Sequence, residues 1–270
     1  AEPMSRHTSL RIGGPAEVMA FPQNPQELAH ILKVTKELDI TCAILGAGTN
    51  ILAPDEGCRG LIICLKDCLG GMELLPGNCI RVMAGVTMAR AAVFAANHGL
   101  SGLEFAHGIP GTVGGGVYMN AGAYGGEMSG ICRSVTLMDG AGQLREVNAR
   151  ELEFSYRHSK LQESGEIVIS AVLQLQPAAP EEVKQKMREL QAKRLASQPL
   201  DYPSAGSAFK RPAGGYAAAL IDQAGLRGFQ VGQAAIARKH AGFAINLGGA
   251  PAAEMRELLT QVSDQVFRQP

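Results

Sequence analysis

An α+β fold is the class this chain predicts, on two observations: strand-like runs outnumber helical ones, and many of them are joined by hairpin-type turns. The chain is organised around a glycine-dense tract, GIPGTVGGGVYMNAGAYGG from Gly108 to Gly126. At 270 residues the chain is long enough for two or three subdomains.

In order, Glu17–Phe21 reads as a short strand ending at Pro22. Asn24, Pro25 and Glu27 then make a helix start: Asn24 caps, Pro25 suits the first helical position, and Glu27 reaches back to the cap. Leu28, Ile31, Leu32, Thr35 and Leu38 follow one helical face. Thr41–Leu45 is a strand that runs into a first glycine loop, Gly46-Ala47-Gly48-Thr49-Asn50. Gly60–Leu65 and Ile80–Ala84 are buried strands, and Thr87 caps a helix that Gly99 stops. The tract at 108–126 is too rich in glycine to predict either a helix or an ordinary strand. Ser134–Met138 and Gln143–Val147 flank a hairpin turn, Ala149–Phe154 makes one or two helical turns, and Ile167–Leu175 is a long strand. Pro180 opens a charged helix to Ala196, and Gln198–Gly206 breaks structure with two prolines. A last unit holds a helix at Tyr216–Ala224, strands near Ala234–Ala237 and Phe243–Leu247, and a helix at Ala252–Phe267.

Composition narrows the function. Lys and Arg number 25, as do Asp and Glu, so nothing points to nucleic acid or an anionic membrane surface. No apolar run approaches the roughly 20 residues of a membrane-spanning helix, and the N-terminal segment lacks a secretory pattern. The six cysteines form no C-x-x-C pair and read as reduced cytosolic thiols, with Cys42 and Cys64 as small buried hydrophobes and no metal site expected. Tryptophan is absent, so the core is expected to be aliphatic and alanine-rich.

Five stretches are candidates to carry chemistry. Gly46–Ile51 is not a dinucleotide fingerprint, because Ile51 stands where glycine or alanine is needed and no helix opens after it. A strand feeding G-x-G-T-N still offers successive N–H groups, a hydroxyl and an amide, which suits a diphosphate. The long glycine tract reads either as backbone wrapped against a flat ligand or as a packing loop; with both loops in one chain, a nucleotide cofactor is the reading preferred. Arg157 in Tyr156-Arg157-His158-Ser159 is either a cation aimed at a carboxylate or enolate, or a solvated surface arginine. Ser207 lies in no nucleophile elbow, which leaves a proton-donating serine or a plain turn serine. His240 is read as a strand-edge histidine, with ligand contact as the alternative.

Taken together, HTSLRIGGPAE, LGAGTNIL, GIPGTVGGGVYMNAGAYGGE, FSYRHSKL, QPLDYPSAGSAFKRP, LIDQAGLRG and KHAGFAIN resemble, in order and over nearly the whole chain, the UDP-N-acetylenolpyruvoylglucosamine reductase (MurB) family, in its shorter type II branch. The resemblance implies a flavin-binding fold of the vanillyl-alcohol-oxidase type in two lobes, 1–65 and 66–196, plus a smaller α+β substrate-binding domain, 197–270. It implies non-covalent FAD, NADPH as reductant, and UDP-N-acetylglucosamine enolpyruvate as substrate for a cytoplasmic monomer of peptidoglycan precursor synthesis. By the same resemblance Gly46, Ala47, Gly48, Thr49, Asn50, Ile51, Gly111, Thr112, Gly115, Asn120, Ala121 and Gly122 hold the cofactor. Tyr156, Lys210, Arg211, His240 and Asn246 hold substrate. Arg157 stabilises charge and Ser207 delivers a proton.

Two departures stand out. Arg211 replaces the asparagine common in the family, and the chain ends at Phe267-Arg268-Gln269-Pro270, before the family's C-terminal glutamate segment, so the last domain reads as truncated. Two other readings remain: a flavin oxidase of the same fold, tethering its flavin through His107, and a non-catalytic flavin- or sugar-nucleotide-binding module.

Overall fold

The computed structural model describes residues 2–268; Gln269 and Pro270, on which part of the truncation reading rests, lie outside them. The chain divides into two compact units. One comprises Met19–Ala47 and Gly60–Ala192; the other comprises Ala1–Val18, Gly48–Arg59 and Lys193–Pro270.

The larger unit begins with helix α1, Pro25–Glu37. Asn24 Oδ1 accepts from the Glu27 amide at 2.9 Å, while the Glu27 carboxylate turns back to the Gln23 amide and to Asn24 Nδ2. Leu28 and Leu32 bury its apolar stripe in a core with Ile63, Leu65, Leu69 and Ile169. Strand Cys42–Leu45 pairs in parallel with Leu61–Cys64. It has a neighbour on one side only, and Cys42 is exposed, contrary to the burial expected of it; Cys64, on the inner strand, is buried.

Five antiparallel strands make the main sheet, in the order Leu144–Asn148, Cys132–Met138, Ile167–Gln174, Cys79–Met83, Met72–Leu75. Val82, Val135, Leu137, Ala171 and Leu173 share a core with Ala91, Ala92 and Ala95 of helix α2, Met88–Asn97, which Thr87 caps through the Arg90 amide. The core is aliphatic and alanine-rich, as expected. Asp139 closes the hairpin by accepting from the amides of Ala141 and Gln143.

The glycine tract departs from expectation, for Val113–Tyr118 forms helix α3, capped by Thr112. Tertiary contact overrides propensity here. A Cβ on Gly114 would lie 2.8 Å from Ala84 Cβ, and one on Gly116 would lie 2.8 Å from Met88 Sδ. The glycines let the helix lie against the end of a strand and the start of α2, and Val113 and Val117 are fully buried there. Helix α4 covers Leu161–Ser164 and helix α5 covers Pro180–Ser197.

In the other unit, Glu2–Pro3 pairs with Pro15–Ala16. A four-stranded antiparallel sheet runs Ser204–Ser207, Phe243–Asn246, Ala234–Ile236, Gln230–Val231. The first of these was expected to be loop because Pro199 and Pro203 dominate the local pattern; its pairing partner lies some 40 residues on and its register shifts between Ser204 and Ser207. Helix α6, Ala217–Gln223, and helix α7, Ala252–Phe267, pack Ile221, Met255, Leu258 and Val262 with Leu10, Ile12, Ile236 and Ala244. The LIDQAGLRG motif is a clasp: Asp222 pairs with Arg227, which also donates to the Arg238 carbonyl.

Two side chains join distant segments of this unit. Asn246 donates to the Leu10 carbonyl at 2.9 Å and accepts from the amides of Gly248 and Ala250. Asp55 accepts from the first two amides of α7, those of Ala252 (2.6 Å) and Ala253 (2.9 Å). It supplies the cap that Pro251, at the cap position, does not.

Two stability predictions result. Asp55→Ala is expected to cost about 1 kcal/mol through the lost cap, read as a fall in the denaturant midpoint with unchanged slope. Gly116→Ala, which presses a methyl onto the buried Met88 sulfur, is expected to cost about 1–3 kcal/mol by the same measurement.

Candidate functional site

Thr112 stands at the centre of the larger unit's site. It is buried, forms an isolated antiparallel bridge with Thr87, and its Oγ1 accepts from the Gly115 amide at 3.3 Å. The same oxygen lies 2.7 Å from where a Cβ on Gly46 would stand. The end of the first glycine loop and the start of the second tract therefore meet backbone to hydroxyl, and only glycine at 46 allows it.

The N-terminus of α3 is not an anion nest. The Val113 amide donates to the Val86 carbonyl, Gly114 to Ala84, and Gly116 to the Thr112 carbonyl. With the Gly115 amide on Thr112 Oγ1, these early donors are spent within the fold. Gly111, at φ +145°, accepts from the Met88 amide, and Ala121 and Gly122 continue into a short hairpin with Gly126–Glu127.

Arg157 sits at the tip of a two-residue turn closed by reciprocal hydrogen bonds between Ser155 and His158. Its φ is +56°, a conformation that costs energy for a residue with a side chain. Its guanidinium donates from Nη2 to the Gly122 carbonyl (2.8 Å) and from Nη1 to that of Asn120 (3.4 Å), and lies 5.2 Å from the Tyr156 ring centroid. The reading of Arg157 as a solvated surface arginine does not describe this geometry. Sequence reasoning passed over Ser159 and Gln162, which hold the turn from behind through the Tyr118 carbonyl; both lie within or beside the FSYRHSKL segment.

In the other unit the first loop continues with Gly48, at φ +60°, where a Cβ would lie 1.9 Å from the His7 carbonyl oxygen. Gly48 in turn accepts from the Ser9 amide. The HTS segment thus backs the loop, while Asn50 and Ile51 are exposed. Ser207 is exposed at the end of its strand, opposite Phe243, next to Ala208, whose amide donates to the Gly242 carbonyl. Lys210 is exposed, and Arg211 stacks 4.5 Å over the Tyr216 ring. His240 packs edge-on to Phe243, and its Nδ1 accepts from the Gly242 amide at 3.1 Å. Burial pushes its pKa below the usual imidazole range, aided by the charge of Arg227. Asn246 is buried.

These features fit a flavin dinucleotide. A threonine hydroxyl pressed on a side-chain-free backbone offers a flat approach, and His107 Nδ1, just before the tract, is buried without a hydrogen-bond partner. Among the described residues no group of three or more His, Cys, Asp or Glu side chains is placed to hold a metal. Burial raises the pKa values of Cys64 and Cys68 and pushes that of Cys132 up to about 12, which disfavours thiolate chemistry at these three.

Comparison with known proteins agrees. An FAD binding domain family matches residues 16–148, and the UDP-N-acetylenolpyruvoylglucosamine reductase C-terminal domain matches residues 198–270. The reductase of that name from Agathobacter rectalis is 45% identical over 99% of this chain and 88% of its own length. The chain belongs to the UDP-N-acetylenolpyruvoylglucosamine reductase family. The Lactobacillus acidophilus family member is 46% identical over 95% of this chain and 86% of its own length. The crystal structure of the Thermus caldophilus member aligns with a TM-score of 0.85 at 36% identity, covering 97% of this chain and 93% of that one. A solvent-stable cholesterol oxidase aligns over 63% of this chain and 36% of its own, at 16% identity and a TM-score of 0.51, which speaks to fold alone. The family fold is thus the flavin-binding fold of the vanillyl-alcohol-oxidase type, and the α+β expectation holds.

Gly46→Ala is expected to weaken FAD about tenfold, the effect of a clash costing about 1–2 kcal/mol, read by titrating apoprotein with flavin. His240 is expected to titrate below the usual imidazole range when followed by NMR. The unfolded chain then takes up its proton first, so His240 subtracts stability as pH falls through that range and leaves stability unaffected above it.

Proposed function

We propose that the chain catalyses FAD-dependent reduction of UDP-N-acetylglucosamine enolpyruvate to UDP-N-acetylmuramate, with NADPH as reductant. The observation that carries the reading is Arg157, a cation held in a costly backbone conformation against the carbonyls of the glycine tract. We assign residues 1–65 and 66–196 to the two lobes of the FAD-binding domain and 197–270 to substrate binding; the C-terminal domain family, matching 198–270, supports the last of these. The same reading places the enzyme in the cytoplasm as a monomer.

Gly46, Ala47, Gly48, Thr49, Asn50 and Ile51 hold the cofactor diphosphate, and Gly111, Thr112, Gly115, Ala121 and Gly122 border its ring system. FAD, when bound, supplies the hydride that reduces the methylene carbon of the enolpyruvyl group. Negative charge develops on the adjacent carbon and its carboxylate, and the fixed guanidinium of Arg157 stabilises it without reorganising. Ser207 donates the proton to that carbon. A hydroxyl is a weak acid, so the transfer depends on the strongly basic, carbanion-like acceptor.

Lys210 and Arg211 meet the substrate diphosphate. Arg211 lies over the Tyr216 ring and stands where the family commonly has an amide; a guanidinium, like an amide, donates to phosphate oxygens. Tyr156 and neutral His240 contact the sugar conjugate, and Asn246 contributes by fixing the backbone around it. Ser207→Ala is expected to leave bleaching of the flavin by NADPH intact and to abolish recolouring by the enolpyruvyl sugar nucleotide. Equal loss in both half-reactions, or in neither, removes Ser207 from this role.

The unpartnered Nδ1 of His107 keeps an oxidase with tethered flavin as a second reading. Acid denaturation separates the two: the reductase releases its flavin to the supernatant, whereas a tether retains it on the polypeptide.

A further inference from the structure

We infer that Asn120 is a positioning residue for Arg157 and does not contact the cofactor. The inference rests on the proposed role of Arg157. Asn120 is fully buried, and its side chain bonds the chain's own backbone in two directions. Oδ1 accepts from the Ser129 amide at 2.9 Å, and Nδ2 donates to the Ser155 carbonyl at 3.0 Å. Ser155 is the residue whose amide and carbonyl close the turn that carries Arg157. The Asn120 main-chain carbonyl, in turn, accepts from Arg157 Nη1. One residue therefore grips both the base of the turn and the guanidinium at its tip.

Asn120 also lies at φ +41°, so two side-chain-bearing residues that face each other hold left-handed conformations, Arg157 being the second. Paired strain of this kind persists only where surrounding bonds fix it. The amide is the group suited to the junction, since it must accept on one side and donate on the other. The Gln162 amide, which donates to the carbonyls of Arg157 and Tyr118, holds the turn from the opposite side. Releasing the Asn120 grip leaves the turn held only from behind, by Ser159 and Gln162, and lets the guanidinium move off its carbonyls.

The test has two independent arms on the full chain. Hydrogen exchange of the apoprotein reads the turn: Asn120→Ala is expected to speed exchange of the Ser155 and His158 amides by about tenfold or more, with the sheet amides unchanged. Steady-state and half-reaction kinetics read the chemistry. Turnover with the enolpyruvyl sugar nucleotide is expected to fall between about ten- and a hundredfold. FAD affinity and bleaching by NADPH are expected to stay within about twofold of wild type, since neither uses Arg157.

In an Arg157→Ala background the same substitution is expected to cost nothing more, because its effect passes through the arginine. An additive loss in that background, unaltered exchange at the turn, or weakened FAD with normal turnover at saturating flavin would each overturn the assignment. If Asn120→Ala does not fold, Asn120→Asp keeps the acceptor for Ser129 while removing the donor to Ser155, and is judged by the same readouts. A wild-type chain that fails to reduce the sugar nucleotide refutes the proposed function, and the exchange arm still decides whether Asn120 holds the turn.

Discussion

One hydroxyl in the larger unit sets the terms for its neighbours. Thr112 Oγ1 caps helix α3 and occupies the space that a side chain at Gly46 would need. The strand leaving Leu45 and the helix starting at Val113 approach this closely because one side of the contact has no Cβ. Gly114 and Gly116 apply the same rule one turn later, against Ala84 and Met88. Once α3 is seated, the carbonyls that follow it, at Tyr118, Asn120 and Gly122, have fixed directions, and the Arg157 turn is built on them.

Around Arg157 the electrostatics are arranged by dipoles more than by charges. The chain is formally neutral, burial holds the Cys64 and Cys132 thiols protonated, and among the described residues the guanidinium of Arg157 lies on backbone carbonyls, not on a carboxylate. A carboxylate partner would cancel the charge that a developing anion needs. Carbonyl dipoles steer the cation while leaving its net charge in place, which is the preorganisation a charge-stabilising group requires.

Local rules predicted local elements well. The Asn24 cap, the Thr87 cap, the Asp139 turn and the run of the last helix all follow from residues within a few positions of each other. What sequence reading missed was decided at long range. Six residues that include three consecutive glycines became a helix because Ala84 and Met88 receive them. Ser204–Ser207 became a strand because Phe243–Asn246 pairs with it, and on the strand Cys42–Leu45 only Leu45 meets the core, leaving Cys42 exposed. The candidate site was legible as a set of motifs, yet its internal wiring was not. Asn120 to Ser155 and Asn246 to Leu10 are bonds across 35 and 236 positions, beyond the reach of any local pattern.

The Asp55 cap carries a consequence for how the smaller unit comes apart. The segment bearing Gly48 to Ile51 is clasped, through one carboxylate, to the leading end of α7, whose other end carries the largely solvent-bare Phe267. Fraying that starts at that ring and travels inward ends at Asp55, in the same short segment as Gly48 to Ile51. By linkage, anything that grips the loop must also slow digestion of the terminal helix, and nicking that helix must loosen whatever the loop grips.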